Sequence, residues 1–105
     1  MTDLLTEPER ATDLAPLLDA GWHMAEGRDA IVKAFVFGNF VEAFGWMTRA
    51  ALWAEKWNHH PEWLNVYKRV EVTLSTHDAG RLSAKDVKLA RKMDQLAEAT
   101  ATHGR

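Results

Sequence analysis

Cysteine is absent from this chain of 105 residues, which excludes disulfides, thiolate nucleophiles and cysteine-based zinc sites. Long apolar runs are absent too, and none approaches the roughly 20 residues that a membrane-spanning helix needs. The acidic start of the sequence, interrupted by Pro8, lacks the basic and apolar regions of a signal peptide. These absences predict a cytoplasmic protein that does not associate with a membrane.

An excess of charge of one sign is also lacking, because the formal net charge is only −2. Direct binding to nucleic acid is therefore not expected. The apolar fraction of 47% and the charged fraction of 27% are ordinary for a globular protein. The length predicts a single domain over residues 1–105. Five tryptophans are many for this length, and we expect most of them in the core and some on a surface for a planar ligand.

The chain begins with a short helix, predicted over residues 6–20. Thr6 and Glu9 have the spacing of a capping box at its start. Pro16 is unfavourable in a helix interior, so the helix either bends there or begins later with Asp13 as its cap.

Residues 22–37 predict a β-hairpin with its turn at EGRD, and residues 39–57 predict the clearest helix. Asn39 is a suitable N-cap for this helix, and Glu42 completes the pattern of a capping box. One helical face is expected to enter the core, formed by Phe40, Phe44, Met47, Ala51 and Ala54.

The second half contains the strand-like residues 62–76 and a last helix over 83–100. The sequence YKR favours a turn between two short strands, with one long strand as the alternative. Ser83 is the expected N-cap of the last helix, with Asp86 three residues on. Its core stripe is Leu89, Ala90, Met93, Leu96 and Ala97. The order α-β-β-α-β-β-α predicts an α+β domain with a four-stranded antiparallel sheet covered on one face by helices.

Two adjacent histidines, His59 and His60, stand directly before a proline, at or just past the end of the 39–57 helix. One interpretation is a polar helix end, where protonated imidazoles interact well with the last backbone carbonyls. A second is a metal site shared with Glu55 and His77, although adjacent histidines rarely present both rings to one ion.

A hairpin over 62–76 would return His77 to the histidine pair, because the second strand ends beside the start of the first. Asp86 either caps the last helix or raises the basicity of a nearby imidazole. Three imidazoles with one or two carboxylates suit general acid–base catalysis near neutral pH. The sequence contains neither a G-x-S-x-G motif nor a phosphate-binding glycine loop. The pattern favours proton transfer without a covalent intermediate or cofactor, as in a dehydration or an isomerisation.

The sequences EGRDAI, AEKWNHHPEWLNVY and VTLSTHDAGRLSAKD resemble the pterin-4a-carbinolamine dehydratases, from about Gly21 to Leu96. The resemblance implies the same fold and the loss of water from a 4a-hydroxytetrahydropterin, which gives quinonoid dihydropterin. It implies no metal and no organic cofactor. The reaction recycles the pterin of aromatic amino acid hydroxylases, as in phenylalanine hydroxylation.

The resemblance also implies site residues. The catalytic positions are Glu55, His59, His60, His77 and Asp86. The substrate contacts are Asn58, His59, His60, Ser75, Thr76, His77 and Asp78. Asn58 stands where a common form of the family has Asp, which removes a charge at the edge of the site.

Individual roles follow from this assignment as predictions. His59 and His77 are the expected acids, and His60 is expected to bind the pterin and act as base. Glu55 and Asp86 would orient and tune these imidazoles. Trp63 either walls the pocket or packs in the core.

Other functions stay open at this point. Some members of the family also act as dimerisation cofactors of a homeodomain transcription factor, so a non-catalytic coactivator module is one alternative. A dehydratase-like protein of molybdopterin metabolism is another. The resemblance implies a homodimer or homotetramer, assembled through the 40–57 helix or a sheet edge.

Overall fold

The computed structural model of the protein describes residues 4–103, where three helices and four strands follow the order α-β-β-α-β-β-α. Helix α1 consists of three consecutive helical segments, Glu7–Glu9, Arg10–Leu14 and Ala15–Asp19. The other elements are β1 (His23–Met24), β2 (Ile31–Val36), α2 (Phe40–Lys56), β3 (Glu62–Val66), β4 (Arg69–Leu74) and α3 (Ala84–His103). The predicted α+β fold is confirmed, and the single long strand over 62–74 is wrong.

The strands form one sheet in the order β1-β2-β4-β3, with every neighbouring pair antiparallel. One face of the sheet is covered by the helices, because Val70 and Val72 on β4 are fully buried while Leu64 and Val66 on β3 are exposed. The core between sheet and helices includes Trp22, Ile31, Phe35, Trp46, Leu74, Leu89 and Met93. The turn between β3 and β4 returns the end of β4 to the start of β3, beside the histidine pair.

The buried face of α2 differs from the prediction. Its buried residues are Ala43, Trp46, Ala50 and Ala54. Phe40 and Phe44 are 46% and 53% exposed, Ala51 is exposed, and Met47 is only partly buried. The small alanines allow the helix backbone to approach the sheet and α3, and Trp46 fills the remaining space with its Nε1 donating to the carbonyl of Met93 at 3.1 Å. The phenylalanines therefore lie outside the core, on an exposed face of the helix beside the buried one.

Helix α1 begins with the predicted capping box, in which Thr6 and Glu9 accept hydrogen bonds from each other's backbone amides. The alternative start at Asp13 is wrong. A π-helical turn over Arg10–Leu14 ends two residues before Pro16, which has no N–H to donate to the preceding turn.

The caps and core stripe of the later helices are close to those predicted. Asn39 caps α2 by accepting from the amide of Glu42 at 2.9 Å, but the Glu42 carboxylate accepts from Gly38 rather than from Asn39. The predicted stripe of α3 is confirmed, with Leu89, Ala90 and Met93 fully buried and Leu96 and Ala97 packed against the core. Within residues 4–103, no helix is both long enough and apolar enough to cross a membrane.

Candidate active site

The end of α2 places the two adjacent histidines in different environments. Asn58, the second residue after the helix, has φ +53, in the left-handed region that asparagine adopts more readily than most residues. The amides of Asn58 and His59 donate back to the carbonyls of Glu55 and Ala54, at 3.2 and 2.9 Å, in the pattern of a Schellman motif. After this turn, His59 is buried and His60 is exposed.

A buried carboxylate holds His59. Asp86 is fully buried, and its Oδ1 accepts a hydrogen bond from Nε2 of His59 at 2.6 Å. Its Oδ2 accepts from the hydroxyl of Thr76 and from the backbone amide of Ser83, both at 2.9 Å. Asp86 thus caps α3 and anchors an imidazole at once. Because a carboxylate only accepts, Nε2 of His59 carries the hydrogen, and Nδ1 is the ring nitrogen that remains for a ligand.

His60 forms a second pair that is open to solvent. Its Nε2 lies 2.9 Å from Oε1 of Glu55, and the two side chains are 53% and 83% exposed. Glu55 therefore partners His60 rather than His59. The helix ends before either histidine, so the spacing that would place Glu55 and His59 on one helical face no longer applies.

His77 forms a third pair, with the carboxylate of Glu62, which is itself held by Arg28. Its Nε2 lies 3.0 Å from Oε2 of Glu62, and both oxygens of Glu62 accept hydrogen bonds of 2.8 Å from the guanidinium of Arg28. The hydrogen bonds from Arg28 lower the pKa of Glu62 to about 2, although partial burial opposes them and the bond from His77 assists. The same contact raises the pKa of Arg28. Glu62 is therefore ionised throughout the range in which imidazoles ordinarily titrate.

The three histidines border one open cavity of about 250 Å³. Its lining consists of Asn58, His59, His60, Thr76, His77, Asp78 and Lys85. Ligand pockets usually span about 300–1,000 Å³, so this cavity suits a small ligand rather than a long substrate. A larger concave surface of about 640 Å³ between α2 and α3 has no histidine in its lining. The three imidazoles that the sequence predicted to transfer protons therefore lie at the smaller cavity.

Two residues predicted to contact the substrate lie elsewhere. Ser75 is 2% exposed, and its hydroxyl donates to the carbonyl of Asp29 at 2.9 Å, so it supports a neighbouring turn instead of lining the cavity. Trp63 packs against the core, with its ring centroid 6.3 Å from that of Trp46. Side chains alternate along a strand, so Trp63 faces the helices while Glu62 lies on the opposite face of β3. The core interpretation of Trp63 is therefore the one that fits.

Three residues at the site were not predicted from the sequence. Lys85 lines the cavity, and Glu62 and Arg28 hold His77. Glu62 lies in the quoted sequence HHPEW and Arg28 in EGRD, but neither spacing indicates that the two meet across 34 residues. Lys85 follows the helix cap at Ser83, where a lysine is usually a solvent-exposed residue. Among residues 4–100, whose side chains the structure describes, no group of three or more histidine, aspartate or glutamate residues is arranged to hold a metal ion.

Comparisons with known proteins point to one family. Residues 3–96 match the family described as Pterin 4 alpha carbinolamine dehydratase. A relative from Roseobacter denitrificans, provisionally named a pterin-4-alpha-carbinolamine dehydratase, is 67% identical over 97 residues, which is 92% of this chain and 99% of the relative. The pterin-4-alpha-carbinolamine dehydratase of Drosophila melanogaster is 58% identical over 93 residues, which is 89% of this chain and 48% of the relative.

A solved structure agrees with both sequence comparisons. The crystal structure of a transcriptional coactivator/pterin dehydratase from Brucella melitensis matches with a TM-score of 0.83 and 48% identity, over 90% of this chain and 99% of that one. The sequence match, the relatives and the shared fold lead to one conclusion. This chain belongs to the pterin-4-alpha-carbinolamine dehydratase family.

Proposed function

We propose that this protein is a hydro-lyase that removes water from a 4a-hydroxytetrahydropterin and releases quinonoid dihydropterin. The observation that carries the proposal is the placement of three imidazoles at one cavity, each bonded through Nε2 to its own carboxylate. Membership of the dehydratase family supports the same reaction. Residues 1–105 would form a single domain for this purpose.

The reaction requires two proton movements. Protonation of the 4a-hydroxyl allows the C–O bond to break, and the oxygen leaves as water with the bonding electrons. Removal of the proton on N5 allows the double bond between N5 and C4a to form. An imidazolium can donate the first proton and a neutral imidazole can accept the second, because imidazole exists in both forms near neutral pH. The step neither consumes nor releases electrons.

The proposed roles are those that the sequence predicted. His59 and His77 act as acids, and His60 binds the pterin and acts as base. Asp86 and Glu55 orient His59 and His60 through the hydrogen bonds at Nε2, which keeps Nδ1 of each ring for the substrate.

Four further side chains are proposed to contact the pterin because they complete the cavity: Asn58, Thr76, Asp78 and Lys85. Lysine and the amide of asparagine are donors, and the aspartate is an acceptor. This mixture suits a ring system with both donor and acceptor groups along its edge. We infer that the substrate comes from aromatic amino acid hydroxylases, whose pterin this reaction would recycle.

A kinetic comparison of three histidine variants tests the proposal. His59→Ala and His77→Ala should each reduce the rate of loss of 4a-hydroxypterin absorbance by about 10²–10⁴-fold, the usual contribution of a positioned acid or base. His23→Ala is the matched control, because His23 is exposed on β1 and does not line the cavity. Wild-type rates in both of the first two variants would refute the acid roles. An intact protein that does not accelerate dehydration would favour a non-catalytic binding module.

We further propose that the protein forms a homo-oligomer through the outer stripe of α2 or the edge strand β3. Phe40, Val41, Phe44 and Leu52 are exposed on α2, and Leu64 and Val66 are exposed on β3. Exposed apolar groups at this density on two elements are typical of association surfaces.

Light scattering during gel filtration tests the assembly. Phe44→Glu and Val66→Glu place a charge on one surface each, and at least one should lower the molecular mass. A monomeric wild-type protein would refute the proposal.

A further inference from the structure

The side chain of Glu62 joins three segments that are distant in the sequence. Glu62 is the first residue of β3. Its carboxylate accepts one hydrogen bond from each terminal nitrogen of Arg28, which lies in the turn before β2. It also accepts from His77, which lies beyond the end of β4. The oxygen Oε2 accepts from Arg28 and from His77 together. His77 is thus connected to Arg28 through one carboxylate.

Packing does not restrain the ring of His77 as it restrains that of His59. The side chain of His77 is 56% exposed, whereas that of His59 is 8% exposed. An exposed side chain keeps most of its rotamer freedom unless a directional contact removes it. Within the described part of the chain, the hydrogen bond to Glu62 is the directional contact that the His77 ring makes.

A two-pronged contact gives Glu62 the rigidity to hold that ring. The planar guanidinium of Arg28 meets the carboxylate with two parallel hydrogen bonds, which define the plane of the carboxylate as well as its position. A lysine or a single hydrogen bond would leave the carboxylate free to rotate. The direction in which Oε2 faces His77 therefore depends on Arg28.

The turn that carries Arg28 is itself attached to the segment that carries His77. The carboxylate of Asp29 accepts from the amide of Leu82 at 3.0 Å and from the guanidinium of Arg10, and its carbonyl accepts from the hydroxyl of Ser75. Partial burial would raise the pKa of Asp29, but the bonds from Leu82 and Arg10 outweigh it and hold that pKa below the usual range. The turn that carries Arg28 is therefore hydrogen-bonded to the chain on both sides of His77, at Ser75 and at Leu82.

We propose that Arg28 and Glu62 are positioning residues that hold the imidazole of His77 in the orientation required for proton transfer. This inference rests on the proposed function, in which His77 is an acid. It assigns to the EGRD turn a part in the active site, in addition to its role in the hairpin. Neither Arg28 nor Glu62 lines the cavity, so both act through His77.

The test compares Glu62→Gln and Arg28→Met with Arg69→Met. Arg69 forms an exposed ion pair with Glu71 on β4, and its exposure is similar to that of Arg28. Glu62→Gln and Arg28→Met should lower kcat by about 10-fold to 100-fold, since misplaced catalytic groups lose rate on this scale. KM should stay within about 2-fold, because no lining residue changes. Arg69→Met should keep both constants.

A double-mutant cycle shows whether the effect passes through His77. In the His77→Ala background, Glu62→Gln should reduce kcat no further, because there is no ring left to position. A further reduction equal to that seen in the wild-type background would overturn the proposal. Values of kcat at the level of Arg69→Met in both single variants would overturn it as well.

Nuclear magnetic resonance of the histidine rings gives a readout that does not depend on activity. Glu62→Gln and Arg28→Met should each shift and average the ring signals of His77, and should leave those of His23 unchanged. Arg69→Met should change neither set. If the intact protein does not dehydrate the pterin, the proposed function fails, but these signals still decide whether Glu62 and Arg28 hold the ring. Unchanged His77 signals in both variants would overturn the proposal.

Discussion

The two sides of the cavity secure their histidines by different physical means. On one side, His59 and Asp86 are buried, and three donors meet at the carboxylate of Asp86. On the other side, His77 and Glu62 are exposed, and the fork of Arg28 restrains the carboxylate. The first arrangement is costly to disturb because buried groups that lose their partners cannot form hydrogen bonds with water instead. The second depends on charged hydrogen bonds at the surface, where water can replace a lost partner, so its loss should affect catalysis far more than stability.

The largest effect on stability is expected from Asp86→Ala. This change leaves the imidazole of His59, the hydroxyl of Thr76 and the amide of Ser83 buried without their common acceptor. Each buried group left without its hydrogen-bond partner costs about 1–3 kcal/mol, so the combined loss of unfolding free energy should be about 3 kcal/mol or more. Urea denaturation followed by tryptophan fluorescence measures this loss.

The matching change on the exposed side is Glu62→Gln. It should lower the unfolding free energy by less than about 1 kcal/mol, as expected for an exposed ion pair. Asp86→Asn keeps the shape of the side chain and supplies a measurable variant if Asp86→Ala does not fold. Equal losses from Asp86→Asn and Glu62→Gln would show that the two sides do not differ in the way we describe.

Local signals in the sequence predicted most of the fold. The capping pair Thr6 and Glu9 and the N-cap Asn39 each act within a few residues, so their effect can be predicted without the tertiary structure. The face of α2 could not be chosen in this way. Both faces of that helix carry apolar residues, and the larger phenylalanines proved to lie outside while alanines and Trp46 lie inside.

The site divides in the same manner. The histidine pair and His77 could be brought together from the hairpin alone, because a two-residue turn brings the strand ends together. The contact between Arg28 and Glu62 could not be predicted, because the two residues are 34 positions apart and meet only through their long side chains. The sequence indicated only that Asn58 lacks the charge of an aspartate. Its positive φ shows that it also forms the left-handed backbone turn at the end of α2.

The backbone turn at Asn58 gives a second test of the contrast between the buried and the exposed histidine, with an effect of intermediate size. Asn58→Ala should cost about 1–2 kcal/mol, because alanine is strained in the left-handed region. The strain would also disturb the separation of His59 from His60, so kcat should fall. Thermal unfolding and the dehydration assay together measure both effects.

Two further substitutions at Asn58 separate its backbone role from its charge. Asn58→Gly should retain stability within about 0.5 kcal/mol, because glycine adopts positive φ without steric cost. Asn58→Asp restores the acid found in a common form of the family and tolerates the same backbone, so its effect should be confined to KM or the pH profile. A loss of stability in Asn58→Asp as large as in Asn58→Ala would contradict the backbone explanation.

The effect of Arg28→Met on stability is expected to be small, and its dependence on pH is diagnostic. The pKa of Glu62 is about 2 in the folded protein, where hydrogen bonds from Arg28 favour its charged form. Glutamate in an unfolded chain titrates near about 4.3, so the Arg28–Glu62 pair contributes its full stability above that pH. The contribution is lost as the pH falls from there through about 2. Because both side chains are well exposed, its size should be under about 1 kcal/mol.

The difference in unfolding free energy between wild type and Arg28→Met should therefore be constant from about pH 5 to 7 and should narrow below about pH 4. Urea titrations at a series of pH values measure it. Glu62→Gln is the control background, because Arg28→Met should there produce no difference that varies with pH. A difference that is the same at pH 3 and pH 7 would mean that charge does not hold Glu62. In that case the exposed side of the cavity would be held by packing, as the buried side is, and the contrast between the two would be lost.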